Sequence, residues 1–375
     1  MSGGLLFKTA GESHGSGLLA YLEGLPFGAP IDTDYADYCL GQRQRGHGRS
    51  ARQKLESDKV EILGGARRKK TLGGPLALWV KNADHRIDAY RSLSRPRPGH
   101  ADLAGALKHE TGDVADIMER ASARETAART AAGAIAAAIL RDFGIEIFAQ
   151  TIAIGAVEMR AELITGPTAR GRRDASDFLS LDPEGDERAR RAVDLARDAG
   201  DSLGGRFLVV AGGMPVGLGS HVQWDRRLTG RLAQALMSIP ALKAFEVGAG
   251  RSAAAIPGSL FHDPILPGEK RRGYTRPTNN AGGLEGGISN GQDLVLTLTM
   301  KPIPTLAKPL DSIELSTGEA AKAVYERSDV CSVPAAAIVG EAMVALVLLD
   351  AFLERFGADS YAETKRRFDA AEARL

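Results

Sequence analysis

Two stretches of this chain repeat one pattern of glycines, and that repeat limits its possible folds more than any other feature. Residues 11–28 read GESHGSGLLAYLEGLPFG and residues 200–217 read GDSLGGRFLVVAGGMPVG. Set side by side without a gap, glycine, an acidic residue, serine and glycine coincide, and an apolar run follows. Each copy closes on glycine, a hydrophobic residue, proline, a hydrophobic residue and glycine. A second match comes later in each half. Glu119, Arg120, Ala121 and Ser122 open an apolar stretch that runs to Leu140; Glu326, Arg327, Ser328 and Asp329 open another that runs to Leu349. Gly133 and Gly340 fall at equivalent places within them. Two matches in the same order point to internal duplication. Like halves carry like apolar faces. Burying these together predicts one large domain over residues 1–375, with halves at 1–180 and 200–360. No linker separates them, and the polar stretch 182–202 reads as a helical hinge.

Each half is expected to run as an apolar strand, a helix, further strands and a long apolar helix. Strands are predicted at 59–65, 75–81, 145–157, 206–210 and 293–300. The helix after Ser122 starts with serine followed three residues on by Glu125, a capping box. Its alanine-rich body is apolar nearly all round, so it should be buried on most sides. Ser332 and Pro334 give the matching helix a similar start. Residues 333–353 are interrupted by Glu341 and Asp350, which favours a buried helix over a membrane span. The fold class is therefore α/β in a layered α+β arrangement: pseudo-symmetric halves whose two buried central helices are sandwiched by β-sheets.

The chain carries 48 Lys and Arg against 47 Asp and Glu, so any anion site must come from local clustering of arginine. A dedicated nucleic-acid protein would show a clear basic excess. Cys39 and Cys331 form no metal-ligand spacing, and with no signal-like start a reducing cytoplasm is the expected compartment. Arginines do cluster beside glycines: Arg43, Arg45 and Arg49 in RQRGHGR; Arg95 and Arg97 before Pro98-Gly99-His100; Arg120 and Arg124; and Arg327. Most arginines are solvated surface charges, but such a set fits a pocket for several anionic groups, because guanidinium forks onto phosphate or carboxylate. The repeat makes Arg120 and Arg327 mates expected to face one cleft, and the amides at the Ser122 helix start would add an anion site.

Two histidines stand out, His14 in Gly-Glu-Ser-His-Gly and His100 in Arg-Pro-Arg-Pro-Gly-His-Ala-Asp. Both sit on glycine turns near arginines, a setting that suits an exposed imidazole presented to a ligand. The second copy of the repeat has Leu203 where the first has His14, a difference that a purely structural turn would not need. The run 279–291, NNAGGLEGGISNG, is too glycine-rich for an element interior, and KPIPT at 301–305 holds its carbonyls on a proline-fixed extended path. No dinucleotide fingerprint, Walker motif or hydrolase elbow occurs.

At these segments the chain closely resembles the chorismate synthases. The likeness runs from GESHG through RPGHAD, RASARETAARTAAGAIA, AGGLEGGISNG and KPIPT to RSDVCSVPAAAIVGEA, in order over nearly the whole chain. It implies a homotetramer that binds reduced FMN and eliminates phosphate from 5-enolpyruvylshikimate 3-phosphate. It implies flavin contacts at Arg120, Ala121, Ser122, Gly286, Lys301, Pro302, Ile303, Pro304, Thr305 and Arg327. It ties Arg43 and Arg49 to NADPH as reductant, although their geometry suits a substrate phosphate equally well. A flavin-contacting Asn-Ala pair in the family falls here on Pro240 and Ala241; proline keeps a carbonyl contact but forfeits a side-chain or N–H bond. Gln42 and Gln44 likewise flank Arg43 where the family carries adjacent arginines. By the same resemblance His14 protonates the departing phosphate, His100 manages flavin protonation, and Asp329 positions or relays the proton. Two other readings remain: an NAD(P)H-dependent flavin reductase, which would need neither the two histidines nor so many arginines, and an RNA-binding protein, disfavoured by 5% aromatic content.

Overall fold

The computed structural model describes residues 4–50, 57–268, 273–326 and 328–373. The first half supplies strands β1 (Leu6–Ala10), β2 (Gly17–Glu23) and β3 (Val60–Gly64), a short hairpin β4 (Ala66–Arg67) and β5 (Lys70–Thr71), and β6 (Leu76–Lys81). Helix α1 (Thr33–Gln44) lies between β2 and β3; α2 (Asp102–His109), α3 (Val114–Ala121) and α4 (Thr126–Arg141) follow β6. Then come β7 (Glu146–Ile154), β8 (Val157–Glu158), α5 (Pro167–Asp174), α6 (Pro183–Asp198) and β9 (Gly205–Gly212). The rest is α7 (Leu228–Met237), β10 (Leu242–Val247), the single turn α8 (Gly258–Phe261), hairpins β11–β12 (Leu266–Pro267, Tyr274–Thr275) and β13–β14 (Leu284–Glu285, Ile288–Ser289), β15 (Leu294–Met300), the hairpin β16–β17 (Asp311–Ile313, Ala320–Lys322), α9 (Val333–Phe356) and α10 (Tyr361–Ala373).

Two antiparallel sheets enclose α4 and α9. One runs β1-β2-β6-β3 and the other β10-β15-β9-β7-β8. With the two-residue β8 set aside, the second order read backwards is β7-β9-β15-β10, the same arrangement as the first. Residues 146–154 thus belong to the sheet of the second half. The repeated glycines adopt matching left-handed backbone: Gly11 and Gly200 at φ 103° and 73°, Gly24 and Gly213 at 94° and 71°, Gly28 and Gly217 at 82° and 89°. The stretch 145–157 is a hairpin, not one strand, because Gly155 at φ 55° turns the chain between β7 and β8.

Alternation decides which side of the first sheet is buried. Leu18, Ala20 and Leu22 of β2 and Leu76, Leu78 and Val80 of β6 are nearly inaccessible, while Leu19, Tyr21, Ala77 and Trp79 lie on the other face. Helix α9 has the length and apolarity of a membrane span, yet it lies in the core, with Ala337, Val344, Ala345 and Leu348 fully covered. Small residues let the central helices approach. A Cβ on Gly133 would fall 2.4 Å from both the Cβ and the carbonyl oxygen of Ala342, whereas one on Gly340 would meet the Phe207 ring of β9 at 2.7 Å. The paired glycines therefore serve different contacts, one helix to helix and one helix to sheet. Gly133→Ala is expected to cost about 1–3 kcal/mol, because backbone across the crossing leaves no room; the urea midpoint measures it, and an unchanged midpoint refutes the tight crossing.

The start of α4 differs from the expected capping box. Ser122 caps a 3-10 turn, Ala123–Glu125, by accepting from the Arg124 N–H at 3.2 Å. Glu125 does not reach back; its carboxylate accepts from Thr9 Oγ1 at 2.6 Å and from Arg129 Nε at 2.8 Å. The amides expected to receive an anion are also engaged, since Ser122, Glu125 and Thr126 donate to Met118, Ser122 and Ala123 carbonyls. The extra turn consumes them.

Candidate active site

Both central helices begin at one cavity of ≈ 180 Å³, walled by segment 122–126 before α4 and by segment 328–332 before α9. Their N-terminal dipole ends both favour negative charge there. Arg43, on the last turn of α1, sends Nε to Thr126 Oγ1 at 3.0 Å and Nη2 to the Ala123 carbonyl at 3.0 Å. Arg124 donates through Nη1 to Asp58 Oδ2 at 2.7 Å and through Nε to Asn82 Oδ1 at 2.9 Å. Asp58 also faces Arg43 Nη1 at 3.4 Å, so one carboxylate holds two guanidinium groups together. Burial pulls Arg43 down to about 10, against the pull of Asp58, and the group stays cationic at neutral pH.

Arg49 completes the cationic wall. Its Nη1 lies 2.7 Å from Asp329 Oδ2 and 2.9 Å from Ser332 Oγ, while its buried Nε has no hydrogen-bond partner among the described residues. Asp329 further accepts from the Ser50 N–H at 2.6 Å and Ser332 Oγ at 2.8 Å. Three arginines thus meet two carboxylates, Asp58 and Asp329, among the described residues around the cavity. The opposite wall is apolar: Ile239, Pro240, Met300, Ala335, Ala336 and Val339.

The GESHG loop reaches this cavity through Ser13, whose Oγ lies 3.2 Å from Ser122 Oγ. Asn82, fully buried just past β6, donates to the carbonyls of Glu12, Ser13 and Gly15, the last at 2.8 Å, and fixes the loop's path. His14 is not the exposed imidazole its glycine turn suggests. It is 8% exposed, stacks on Tyr90 with centroids 4.5 Å apart, and sets Nδ1 2.6 Å from Glu119 Oε1. Its Nε2 lies 3.9 Å from Asp84 Oδ2.

His100 is built alike. Its Nδ1 bonds Asp102 Oδ1, and the fully buried Asp102 also accepts from Arg97 Nε at 2.8 Å and the Arg97 N–H at 3.0 Å. Arg97 Nη1 in turn reaches Thr305 Oγ1 at 2.8 Å. The RPGHAD loop is thereby tied to segment 301–305, which leaves the cavity wall at Met300. Burial alone would raise the Asp102 carboxyl, but hydrogen bonds and charge from His100 and Arg97 hold it well below the usual carboxylate range. A depressed folded-state value stabilises the protein at pH above the ordinary carboxylate value of about 4 and is lost as pH falls through the folded one. Asp102→Asn should therefore flatten the acid limb of a stability–pH curve; an unaltered limb below about pH 4 counts against the Asp102 linkage.

The other proposed contacts divide. Ser122 and Pro240 line the cavity, and Ala121 ends α3 directly before it. Ala241, at φ 69°, accepts from the Lys301 N–H at 3.0 Å, joining 239–242 to 301–305. Within that segment Ser202 Oγ donates to the Ile303 carbonyl at 2.7 Å, Pro302 is exposed, and Pro304 and Lys301 face Gly99. Burial lowers the Lys301 ammonium, helped by Lys243. Gly286 lies elsewhere, at the β13–β14 turn lining a separate cleft of ≈ 450 Å³ with His262, Asp263 and Asn280. Arg120 turns to β1, donating to the Thr9 and Gly11 carbonyls at 3.1 and 3.0 Å. Arg327 lies outside the described residues, and with it the expected pairing across the cleft. Asp58 and Asn82 were not singled out from sequence, and Glu119 was marked there only as the first residue of the repeated Glu-Arg motif.

The chorismate synthase family model matches residues 5–353. A chorismate synthase of Moorella thermoacetica is 51% identical over 95% of each chain, and one of Solibacter usitatus is 49% identical over 98% of each. A crystal structure of chorismate synthase superposes with a TM-score of 0.82 at 41% identity, covering 99% of this chain and 98% of the other. A family match over nearly the whole chain, relatives near half identical end to end and a shared fold agree: the chain belongs to the chorismate synthase family.

Proposed function

We propose that this protein is a carbon–oxygen lyase that forms chorismate by 1,4-elimination of phosphate from 5-enolpyruvylshikimate 3-phosphate, in the presence of reduced FMN. The observation that carries the reading is a cavity with a three-arginine wall, met at Ser122 by the loop of His14; His14 and His100 each set Nδ1 against a carboxylate. Guanidinium groups bind the phosphate and carboxylates of such a substrate and stabilise charge that builds on the leaving phosphate. Arg49 would serve this, since its buried Nε has no partner among the described residues and an anionic oxygen would provide one. Arg43, saturated by Thr126, Ala123 and Asp58, sets the wall's shape instead.

The cavity also suits a flavin. Its apolar wall matches a planar ring system, and its serines and arginines match a polar rim. Ser122, Pro240 and the 301–305 segment would hold the group from this chain. When bound, reduced FMN supplies transient electron density that weakens the allylic C–O bond, without net oxidation. With the group bound, His14 would donate a proton to the departing phosphate, His100 would hold a proton for the flavin, and Asp329, anchored by Arg49 and Ser332, would help position or relay it. Assembly as a homotetramer and NADPH as reductant belong to the same reading; Trp224, 82% exposed, supplies surface that an assembly would cover.

Anaerobic assay tests the reading. With FMN reduced by light or dithionite, one equivalent should support many turnovers without NADPH, and strictly oxidised FMN should give none. NADPH consumption matching flavin reduction, with no release of phosphate from substrate, favours the flavin reductase instead.

A further inference from the structure

We propose that Glu119 is the positioning residue that locks the tautomer of His14, so that the proton His14 exchanges is the one on Nε2. This rests on the reading of His14 as the acid that serves the leaving phosphate. Glu119, on α3, is 8% exposed and presents both carboxylate oxygens to one residue. Oε2 accepts from the His14 backbone N–H at 2.7 Å, and Oε1 lies 2.6 Å from Nδ1. The backbone bond fixes which way the carboxylate faces. An oxygen against Nδ1 then requires Nδ1 to carry the hydrogen. Tyr90, stacked on the ring, opposes the half-turn that would carry Nδ1 away from Glu119 and put Cδ2 in its place. Nε2 is left toward Asp84 Oδ2, 3.9 Å away, with no closer hydrogen-bond partner among the described residues.

The step balances simply. The Nε2–H bond of the imidazolium breaks, an O–H bond forms on the phosphate, and His14 is left neutral with Nδ1–H still bonded to Glu119. His100 differs: its Nδ1 meets both Asp102 and the Arg97 Nη2 donor, at 3.0 Å from the latter, whereas both Glu119 oxygens reach His14.

Substituting Glu119→Gln makes a definite change. The backbone N–H of His14 needs an acceptor, so the amide oxygen takes the Oε2 position and the amide NH₂ faces Nδ1. Nδ1 must then accept, and the hydrogen moves to Nε2. Two-bond ¹H–¹⁵N spectra of the full chain with ¹⁵N-labelled histidine, recorded at alkaline pH without flavin, read this directly. The His14 signal is assigned by its loss in His14→Ala. Expected are an Nδ1–H tautomer in the native protein, an Nε2–H tautomer in Glu119→Gln, and restoration of Nδ1–H in Glu119→Asp. Turnover with reduced FMN should fall in the Gln variant on the order of 10²–10⁴-fold, as it does when a carboxylate beside a catalytic imidazole becomes an amide. KM should move little, and Glu119→Asp should recover part of kcat. An unchanged tautomer in Glu119→Gln overturns the proposal, as does a changed tautomer with native kcat. If His14→Ala itself turns over normally, the acid role of His14 is what fails, and the tautomer lock is judged by the spectra alone.

Discussion

His100→Ala is expected to lower turnover by roughly 10²–10⁴-fold, the range for loss of acid–base help. His14→Ala should do the same. The two differ in what they do to the fold. His100 is partly exposed and its partner Asp102 keeps Arg97, so that variant should unfold at a nearly native midpoint. Removing His14 leaves Glu119 Oε1 buried without its imidazole and takes a ring from Tyr90, costing about 1–3 kcal/mol. Steady-state assays beside urea unfolding separate the two effects. Native turnover in either variant means that the histidine has no part in proton transfer.

The second large effect is expected at Asp58. Its side chain is fully buried and is shared by Arg43 and Arg124. Removing one partner of a buried ion pair typically costs about 3–5 kcal/mol, because an uncompensated charge remains. Here two guanidinium groups would be left facing each other. Asp58→Ala should therefore lower the urea midpoint sharply and loosen the cavity wall. Adding Arg124→Met to Asp58→Ala should recover much of the loss, since the double variant removes the repulsion. A double variant no more stable than Asp58→Ala means that the arginines do not repel.

The repeat made the architecture legible. Its glycines keep left-handed backbone at matching places, and period-two alternation in 75–81 and apolarity all round 126–141 pick out a half-buried strand and a buried helix. Around the cavity, Arg43 and Arg49 are marked locally by RQRGHGR, while Asp329 enters through the family resemblance. Asp58, Asn82 and the hold of Glu119 on His14 were not marked, because each acts on residues far along the chain, 70 positions apart for Asn82 and Glu12, and nothing local marks such partners. The burial of His14 was missed for the same reason: the glycine turn is local, whereas Tyr90 and Glu119 arrive from other elements. Glu125 shows local pattern overruled, since Thr9 and Arg129 compete successfully for the carboxylate that a capping box would use.

Because the starts of α4 and α9 share one cavity, an anion seated there touches both halves of the molecule. Arg49 and Ser50 of the first half already bond Asp329 of the second there, and Ser122 and Arg124 line the same space. A ligand spanning that space works as a rivet: whatever binds only the native form adds RT ln(1 + [L]/Kd) to its stability. That gain falls on the seam where the two halves meet.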